Sequence, residues 1–122
     1  MSEGNEKRTI LVVDDAPENI DVLSGILKSH YRVKAALSGE QSLKVVTKNA
    51  PDLILLDVLM PGMDGYEVCR RLKGDPATAS IPVIFVTGEA PDSAREAELG
   101  AAGTVTKPID PAVLLSLISD CF

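Results

Sequence analysis

The chain has 122 residues, of which 45% are hydrophobic and 25% are charged, and its formal net charge is −6. This size and composition are those of one globular domain with a single core, and they exclude disordered and fibrous proteins. The acidic charge argues against binding to nucleic-acid phosphates, which relies on clustered Lys and Arg, so we expect protein partners. No apolar stretch approaches the roughly 20 residues of a membrane helix, and the polar start is unlike a signal peptide, so we expect a cytoplasmic protein without membrane contact.

Five apolar runs alternate with five helix-like segments after a polar tail at residues 1–8, which we expect to be disordered. The runs predict strands at residues 9–14, 31–36, 52–57, 81–86 and 102–106. The segments that follow them predict helices near residues 17–29, 39–49, 64–73, 91–99 and 110–121. Each gap between strand endings is long enough for a crossover helix, so the sequence predicts an α/β fold with a doubly wound parallel sheet in one domain, residues 9–122.

The predicted helix starts carry capping signals. Ser38 and Asp64 each stand three residues before a Gln or Glu, which is the spacing of a capping box, and Asp110 precedes a proline at the first helical position. The local signals therefore agree with the alternating pattern.

The cysteines and the histidine do not indicate a site. Cys69 and Cys121 fall at helical positions in a chain without secretory features, so we expect reduced packing residues and no disulfide. His30 stands at a helix-to-strand junction without a Cys or second His nearby, so we expect a surface residue and not a metal ligand.

Acidic residues end two of the predicted strands. Asp14 and Asp15 follow the first strand and Asp57 ends the third, and in a sheet ordered 2-1-3-4-5 these two strands are neighbours. Three crowded carboxylates disfavour joint ionisation unless a cation offsets them, and a hard divalent ion with oxygen ligands does so. Mg²⁺ fits a shallow acidic cluster because it retains waters and binds phosphate oxygens.

Further polar residues end the fourth and fifth strands and suit phosphoryl chemistry. A carboxylate attacks phosphorus when it is positioned in line and its charge is neutralised, so Asp57 is the candidate nucleophile. Lys107 would supply positive charge, Thr87 would offer its hydroxyl to a phosphoryl oxygen, and Gly88 leaves room for the incoming group. Taken singly, a strand-end Asp is often a helix cap and a strand-end Thr a β-former, but structural need alone does not explain all of these residues together.

Over residues 9–122 the chain resembles the response-regulator receiver domains of bacterial two-component signalling. The resemblance is carried by the runs Ile10 to Asp15, Pro51 to Gly65, Val86 to Gly88 and Thr106 to Pro108. Together and in this order, the four runs are highly specific for this family. They imply a flavodoxin-like fold with five parallel strands in the order 2-1-3-4-5 and five helices.

The resemblance implies a phosphoacceptor signalling domain, a regulator and not an enzyme beyond its own phosphorylation and dephosphorylation. A sensor histidine kinase or a phosphotransfer protein would pass a phosphoryl group to Asp57, and Thr87 and Lys107 would contact the phosphate. The phosphorylated state would be relayed to an output domain or a partner protein. The implied Mg²⁺ ligands are Asp14, Asp15, Asp57 and the main-chain carbonyl of Leu59.

One position departs from the family. Thr104 stands three residues before the Lys, where the family usually carries the Tyr or Phe that turns inward on phosphorylation. We expect the phosphorylation chemistry to survive this change, which leaves open how the surface responds. The family tunes phosphate lifetime at the positions of Leu59 and Glu89. It docks its kinases on the first helix, from Pro17 to about Ser29, and the pattern leaves open a phosphorylation-linked homodimer through helices four and five.

Three alternatives make other predictions. A flavin mononucleotide module shares the fold but needs a phosphate-cradling loop after the first strand, where Asp14 and Asp15 would repel the phosphate. A haloacid-dehalogenase-like phosphatase carries a second acid two residues after its nucleophile, at the position of Leu59. A receiver-like scaffold that is never phosphorylated would have lost site residues, and all five are present.

Overall fold

The computed structural model describes residues 7–88 and 91–122, in which strands and helices alternate from first to last. The strands are β1 (Thr9–Val13), β2 (Arg32–Ala36), β3 (Leu53–Asp57), β4 (Val83–Thr87) and β5 (Gly103–Thr106). The helices are α1 (Pro17–Leu27), α2 (Gly39–Lys48), α3 (Gly65–Lys73), α4 (Ser93–Glu98) and α5 (Pro111–Asp120). Every predicted element is present, with small differences at its ends.

All five strands are parallel and form one sheet in the order β2-β1-β3-β4-β5. The predicted fold class and strand order are therefore confirmed. Because the strands are parallel, their carboxyl ends lie along one edge of the sheet. The register sets Val13 beside Leu56, Asp57 beside Val86 and Thr87 beside Thr106, so the polar residues at the strand ends share that edge.

Helices cover both faces of the sheet, and alternate strand residues contribute to two separate cores. Ile10 and Val12 of β1 pack with residues of α1 and α5, whereas Leu11 and Val13 pack with residues of α2 and α3. β1, β3 and β4 are buried along almost their whole length, which explains why their sequences are continuous apolar runs.

The capping residues act as predicted at three helices. The Ser38 side chain accepts a hydrogen bond from the main-chain N–H of Gln41, and Asp64 and Asp110 cap α3 and α5 in the same way. Only one half of each predicted capping box forms. The Gln41 side chain accepts from the N–H of Leu37 instead of that of Ser38, and the Glu67 carboxylate pairs with Arg70 and Arg71.

The boundaries of β4 and α1 illustrate the differences from the prediction. β4 begins at Val83 instead of residue 81, and Pro82 just before it has no N–H to donate. β4 also includes Thr87, which was expected just after its end. α1 ends at Leu27, two residues early.

The structure also bears on the predictions for the cysteines, the histidine, the polar tail and membrane helices. Cys69 is buried and Cys121 is half-buried, and both are free thiols, while His30 is exposed. Residues 1–6 of the expected tail lie outside the described residues. Within residues 7–88 and 91–122, no helix has the length and apolar character needed to cross a membrane.

Candidate functional site

The candidate site lies at the carboxyl edge of the sheet, where four neighbouring strands end. Asp14 directly follows β1, Asp57 and Thr87 are the last residues of β3 and β4, and Lys107 directly follows β5. One carboxylate oxygen from each of Asp14, Asp15 and Asp57 lies within 4.8 Å of the other two. The structure therefore brings together three carboxylates that sequence analysis assigned to one site.

The three carboxylates differ in their surroundings. Asp14 is 1% exposed, and its side chain accepts a hydrogen bond of 2.9 Å from the main-chain N–H of Ala16. Asp57 is 6% exposed, whereas Asp15 is exposed to solvent. Asp15 does not cap α1, because the capping position belongs to Ala16 without a side-chain hydrogen bond. The capping explanation for Asp15 is therefore wrong.

Lys107 reaches the carboxylates from the end of β5. Its Nζ lies 3.3 Å from Oδ2 of Asp14, to which it donates a hydrogen bond, and 3.7 Å from Oδ1 of Asp57. The peptide bond between Lys107 and Pro108 is cis. The aliphatic part of the side chain passes Gly88, where an added Cβ would lie 4.0 Å from Cδ of Lys107.

The environment of Asp57 favours its protonated form. Burial and, second, the Asp14 charge raise the pKa of Asp57 against the opposing Lys107 ammonium, and the net result is a rise from an ordinary 3.8 to about 6. The charge of Asp15 also raises this pKa, and a main-chain hydrogen bond from Val58 lowers it. Without a bound cation, the cluster therefore carries unfavourable negative charge.

The loop after β3 is held against Asp57 by a close backbone approach. The N–H of Gly65 donates a hydrogen bond of 2.9 Å to the carbonyl of Val58, and a Cβ at Gly65 would overlap the carbonyl oxygen of Asp57. Sequence analysis named Gly65 only as the end of a run that carries the family resemblance. An Asp-Gly pair at a helix start indicates a tight turn, but it does not identify the backbone that the glycine approaches.

The remaining predicted residues lie around this cluster. Thr87 is 2% exposed, and its carbonyl accepts a hydrogen bond of 2.9 Å from the N–H of Lys107. Leu59 lies in the loop after β3 with its side chain 58% exposed. Glu89, which was assigned to tuning, lies outside the described residues.

The donor set fits a hard divalent cation. Three carboxylates offer oxygen atoms within a span that one ion can bridge, and two of them are withdrawn from solvent. The ordinary partner of such a cluster is a cation, and Lys107 supplies only one positive charge. The cluster could therefore hold a metal ion.

A family comparison identifies the architecture. Residues 10–119 match the family model described as the response regulator receiver domain. The chain belongs to this family. The strand order and the acidic edge of the sheet are thus those of a receiver domain of two-component signalling.

Named relatives and solved structures agree with this assignment. The response regulator PleD of Caulobacter vibrioides is 44% identical over 89% of this chain, which spans 25% of PleD. Protein PilH of Pseudomonas aeruginosa is 35% identical over 90% of this chain and 93% of PilH. The signal receiver domain of a signal transduction histidine kinase from Syntrophus aciditrophicus is 38% identical, with a TM-score of 0.85 over 93% of this chain and 89% of that domain.

Proposed function

We propose that this receiver domain accepts a phosphoryl group on Asp57 and that Mg²⁺ bound beside Asp57 assists the transfer. The carrying observation is the convergence of three carboxylates within 4.8 Å, with the Lys107 ammonium between the two buried ones. Burial and mutual repulsion of these carboxylates both lower the stability of the fold. A contribution to stability therefore does not explain why they lie together.

The proposed reaction transfers a phosphoryl group from a histidine nitrogen to a carboxylate oxygen. An Oδ of Asp57 forms a new bond to phosphorus, while the phosphorus–nitrogen bond of a donor phosphohistidine breaks and the imidazole leaves with that electron pair. The product is an aspartyl phosphate. The small residue Gly88 beside Lys107 leaves space at the edge of the sheet for the phosphoryl oxygens.

In this proposal, the residues around Asp57 hold the metal ion and contact the phosphoryl group. Asp14, Asp15, Asp57 and the main-chain carbonyl of Leu59 would hold the Mg²⁺. When bound, this ion neutralises carboxylate charge and attracts phosphoryl oxygens. Lys107 would exchange its bonds with the carboxylates for a charge-assisted bond to a phosphoryl oxygen, and the Thr87 hydroxyl would contact another oxygen.

The phosphodonor docks beside the site in this proposal. A cavity of 270 Å³ lies between α1 and the segment after β5 and is lined mostly by apolar side chains, together with Asn19 and Lys107. Val22 on α1 lines it and is 57% exposed, and Val113 at the start of α5 is 49% exposed. An apolar rim beside an acidic site suits a helical partner that presents a phosphohistidine, either a sensor histidine kinase or a phosphotransfer protein.

The output of the signal belongs to a partner or an attached domain. The chain spans a quarter of the length of PleD but almost all of PilH, so relatives carry this domain both with and without a large additional segment. In the proposal the domain itself is a regulator, and its only reactions are its own phosphorylation and dephosphorylation.

Intact-mass measurement after incubation with Mg²⁺ and acetyl phosphate tests the proposal. We expect one phosphoryl adduct in the native chain, none in Asp57→Asn, and one in the matched control Asp21→Asn, which changes an exposed carboxylate on α1. An unmodified native chain at saturating donor would contradict the proposal and favour a scaffold that is never phosphorylated. A flavin module would instead purify with a yellow cofactor.

A further inference from the structure

The outer edge of β2 is an open edge of the sheet. β2 has β1 as its one neighbour in the sheet, and the Arg32 N–H donates a hydrogen bond to the Arg8 carbonyl just before β1. Because main-chain groups alternate in direction along a parallel strand, the N–H and C=O groups of Val33 and Ala35 point away from β1. Ala35 is exposed, so solvent reaches this edge.

Three lysines border this edge and form a basic surface on an acidic chain. Lys34 of β2 and Lys48 of α2 line a groove of 610 Å³, together with Ala35 and Val45. Lys44, one turn before Lys48, lines an adjacent groove of 440 Å³ that shares Lys48. We call Lys34, Lys44 and Lys48 the lysine rim. Its positive charge contrasts with the formal net charge of −6 of the whole chain.

The lysine rim is not neutralised from within the described part of the chain. Among residues 7–88 and 91–122, no carboxylate lies at ion-pair distance from any of its three ammonium groups. Glu40 stands one turn before Lys44 on α2, but its Oε2 lies beside Gly62, 3.6 Å from the position of an added Cβ. Lys48 complements the dipole of α2 in its last turn, which does not explain Lys34 or Lys44.

An extended peptide matches both the open edge and the lysine rim. Outward N–H and C=O groups of an edge strand bind another strand, whereas a nucleic-acid backbone does not offer matching donors and acceptors. Side chains of an added strand would alternate between the two faces of the sheet. Lys34 shares its face with Ala36, which packs with α2 and α3, so acidic side chains on that face would meet the rim. Apolar side chains on the other face would lie beside Val33, which packs toward α1 and α5.

The same positive charge disfavours pairing with a second copy of this chain. Two β2 edges joined across a two-fold axis would set the Lys34 and Arg32 side chains of the two copies against one another. Like charges on facing strands are destabilising, and lysines on edge strands prevent self-association for this reason. An acidic partner removes this repulsion.

We infer that the β2 edge with its lysine rim is a docking surface for an extended segment of a partner protein that carries acidic residues at alternate positions. About five residues of the segment add as a sixth strand, since β2 has five residues. Their main chain bonds to Val33 and Ala35, and their carboxylates bond to the rim. No residue of the phosphoacceptor site belongs to this surface, so the inference is independent of the proposed function.

Fluorescence anisotropy with a labelled peptide that alternates glutamate and valine over about nine residues, a usual strand length, tests the inference. We expect saturable binding to the native chain. Lys34→Gln/Lys48→Gln should raise the dissociation constant about tenfold, because two ion pairs are lost. Arg70→Gln/Arg71→Gln is the matched control, since it changes the net charge equally on the exposed surface of α3, and it should bind like the native chain.

Further measurements separate strand addition from attraction between charges. Ala35→Pro removes one outward N–H and keeps the bonds to β1, and proline is tolerated on edge strands, so this variant should remain folded by circular dichroism and lose binding. The same peptide N-methylated at every residue keeps its carboxylates but has no main-chain N–H, and it should not bind. In amide NMR spectra of the native chain, the alternating peptide should shift the signals of Val33 and Ala35 most.

Four results would overturn the inference. The native chain fails to bind the alternating peptide, or binding is unchanged in Lys34→Gln/Lys48→Gln. The N-methylated peptide or a labelled oligothymidylate binds as tightly as the alternating peptide, which charge alone would explain. The native chain forms a dimer in gel filtration that Ala35→Pro abolishes, which would assign the edge to a second copy. The acetyl phosphate adduct reports separately on the phosphoacceptor function and should form in all of these variants.

Discussion

At the scale of single residues, the site is a balance between burial, repulsion and one ammonium group. Asp14 and Asp57 are both buried, and the only cation that contacts them among the described residues is Lys107. Because burial comes first among the causes that raise the pKa of Asp57, the folded protein holds this proton more tightly than the unfolded chain does. Protonation of Asp57 is therefore linked to stability.

The pH dependence of stability follows from this pKa. As pH rises from about 4 to about 6, the unfolded chain loses the Asp57 proton before the folded chain does, so Asp57 lowers the free energy of unfolding. Above pH 6, the ionised Asp57 lowers the free energy of unfolding of the metal-free protein by its full amount, roughly 2 to 3 kcal/mol. We expect Asp57→Asn to be more stable than the native chain by about this amount at neutral pH, with the difference vanishing near pH 4.

Urea unfolding in the presence of a chelator, at neutral and acidic pH, checks this prediction. Asp21→Asn is the matched control, since it removes an exposed carboxylate on α1 and should show no such pH-dependent difference. A stability difference for Asp57→Asn that is equal at both pH values would show that desolvation of the charged form is not its cause.

At the scale of elements, the loop from β3 to α3 fixes Asp57 through its backbone. Gly65 begins α3 directly against the carbonyl of Asp57, and its N–H closes the loop on Val58. The loop carries no regular structure, but this contact leaves no room for a side chain. Glycine is therefore required here by close approach and not by a turn dihedral.

A pair of glycine substitutions tests this role. Gly65→Ala should lower the free energy of unfolding by roughly 2 to 4 kcal/mol, because its Cβ displaces the Asp57 backbone. Gly25→Ala in α1 is the control, since a Cβ there meets nothing within 4 Å, and it should raise stability by about 0.5 to 1 kcal/mol. If the two substitutions changed the free energy of unfolding in denaturant equally, steric overlap would not explain the need for glycine at position 65.

At the scale of the whole molecule, the parallel sheet gathers charges that the rest of the fold would otherwise separate. Asp14, Asp57 and Lys107 come from the ends of three strands, and the central strands are too buried to move apart without exposing both cores. The fold therefore enforces the repulsion, and a ligand that neutralises it should stabilise the entire domain.

Mg²⁺ should raise the thermal midpoint of the native chain. At about 100 times its dissociation constant, a single bound ion adds about 2.7 kcal/mol to the free energy of unfolding, which corresponds to roughly 10 °C. Asp15→Asn should weaken Mg²⁺ binding about tenfold and be slightly more stable than the native chain without Mg²⁺, because the exposed Asp15 charge raises the pKa of Asp57. Calorimetric titration with Asp21→Asn as control measures the affinity, and an unchanged value for Asp15→Asn would refute its assignment as a ligand.

Sequence patterns by themselves determined the elements and their order along the chain. β1, β3 and β4 are buried on both faces, so their apolar runs identify strands without knowledge of their partners. Ser38 and Asp110 cap helices through local hydrogen bonds that need only neighbouring residues. The runs that end in Asp14, Asp57, Thr87 and Lys107 placed the candidate site at one edge of the sheet, because parallel strands align their carboxyl ends.

Only the tertiary structure decided how residues distant in the sequence act on one another. The closeness of Gly65 to the Asp57 backbone, the reach of Lys107 to two carboxylates and the bonds of Glu96 to Tyr66 and Thr104 all join different elements. Periodicity and capping are local properties of the chain, so they carry no information about such contacts. Distances and burial, which set charge balance and hydrogen bonding, exist only once the strands are ordered and the helices are packed.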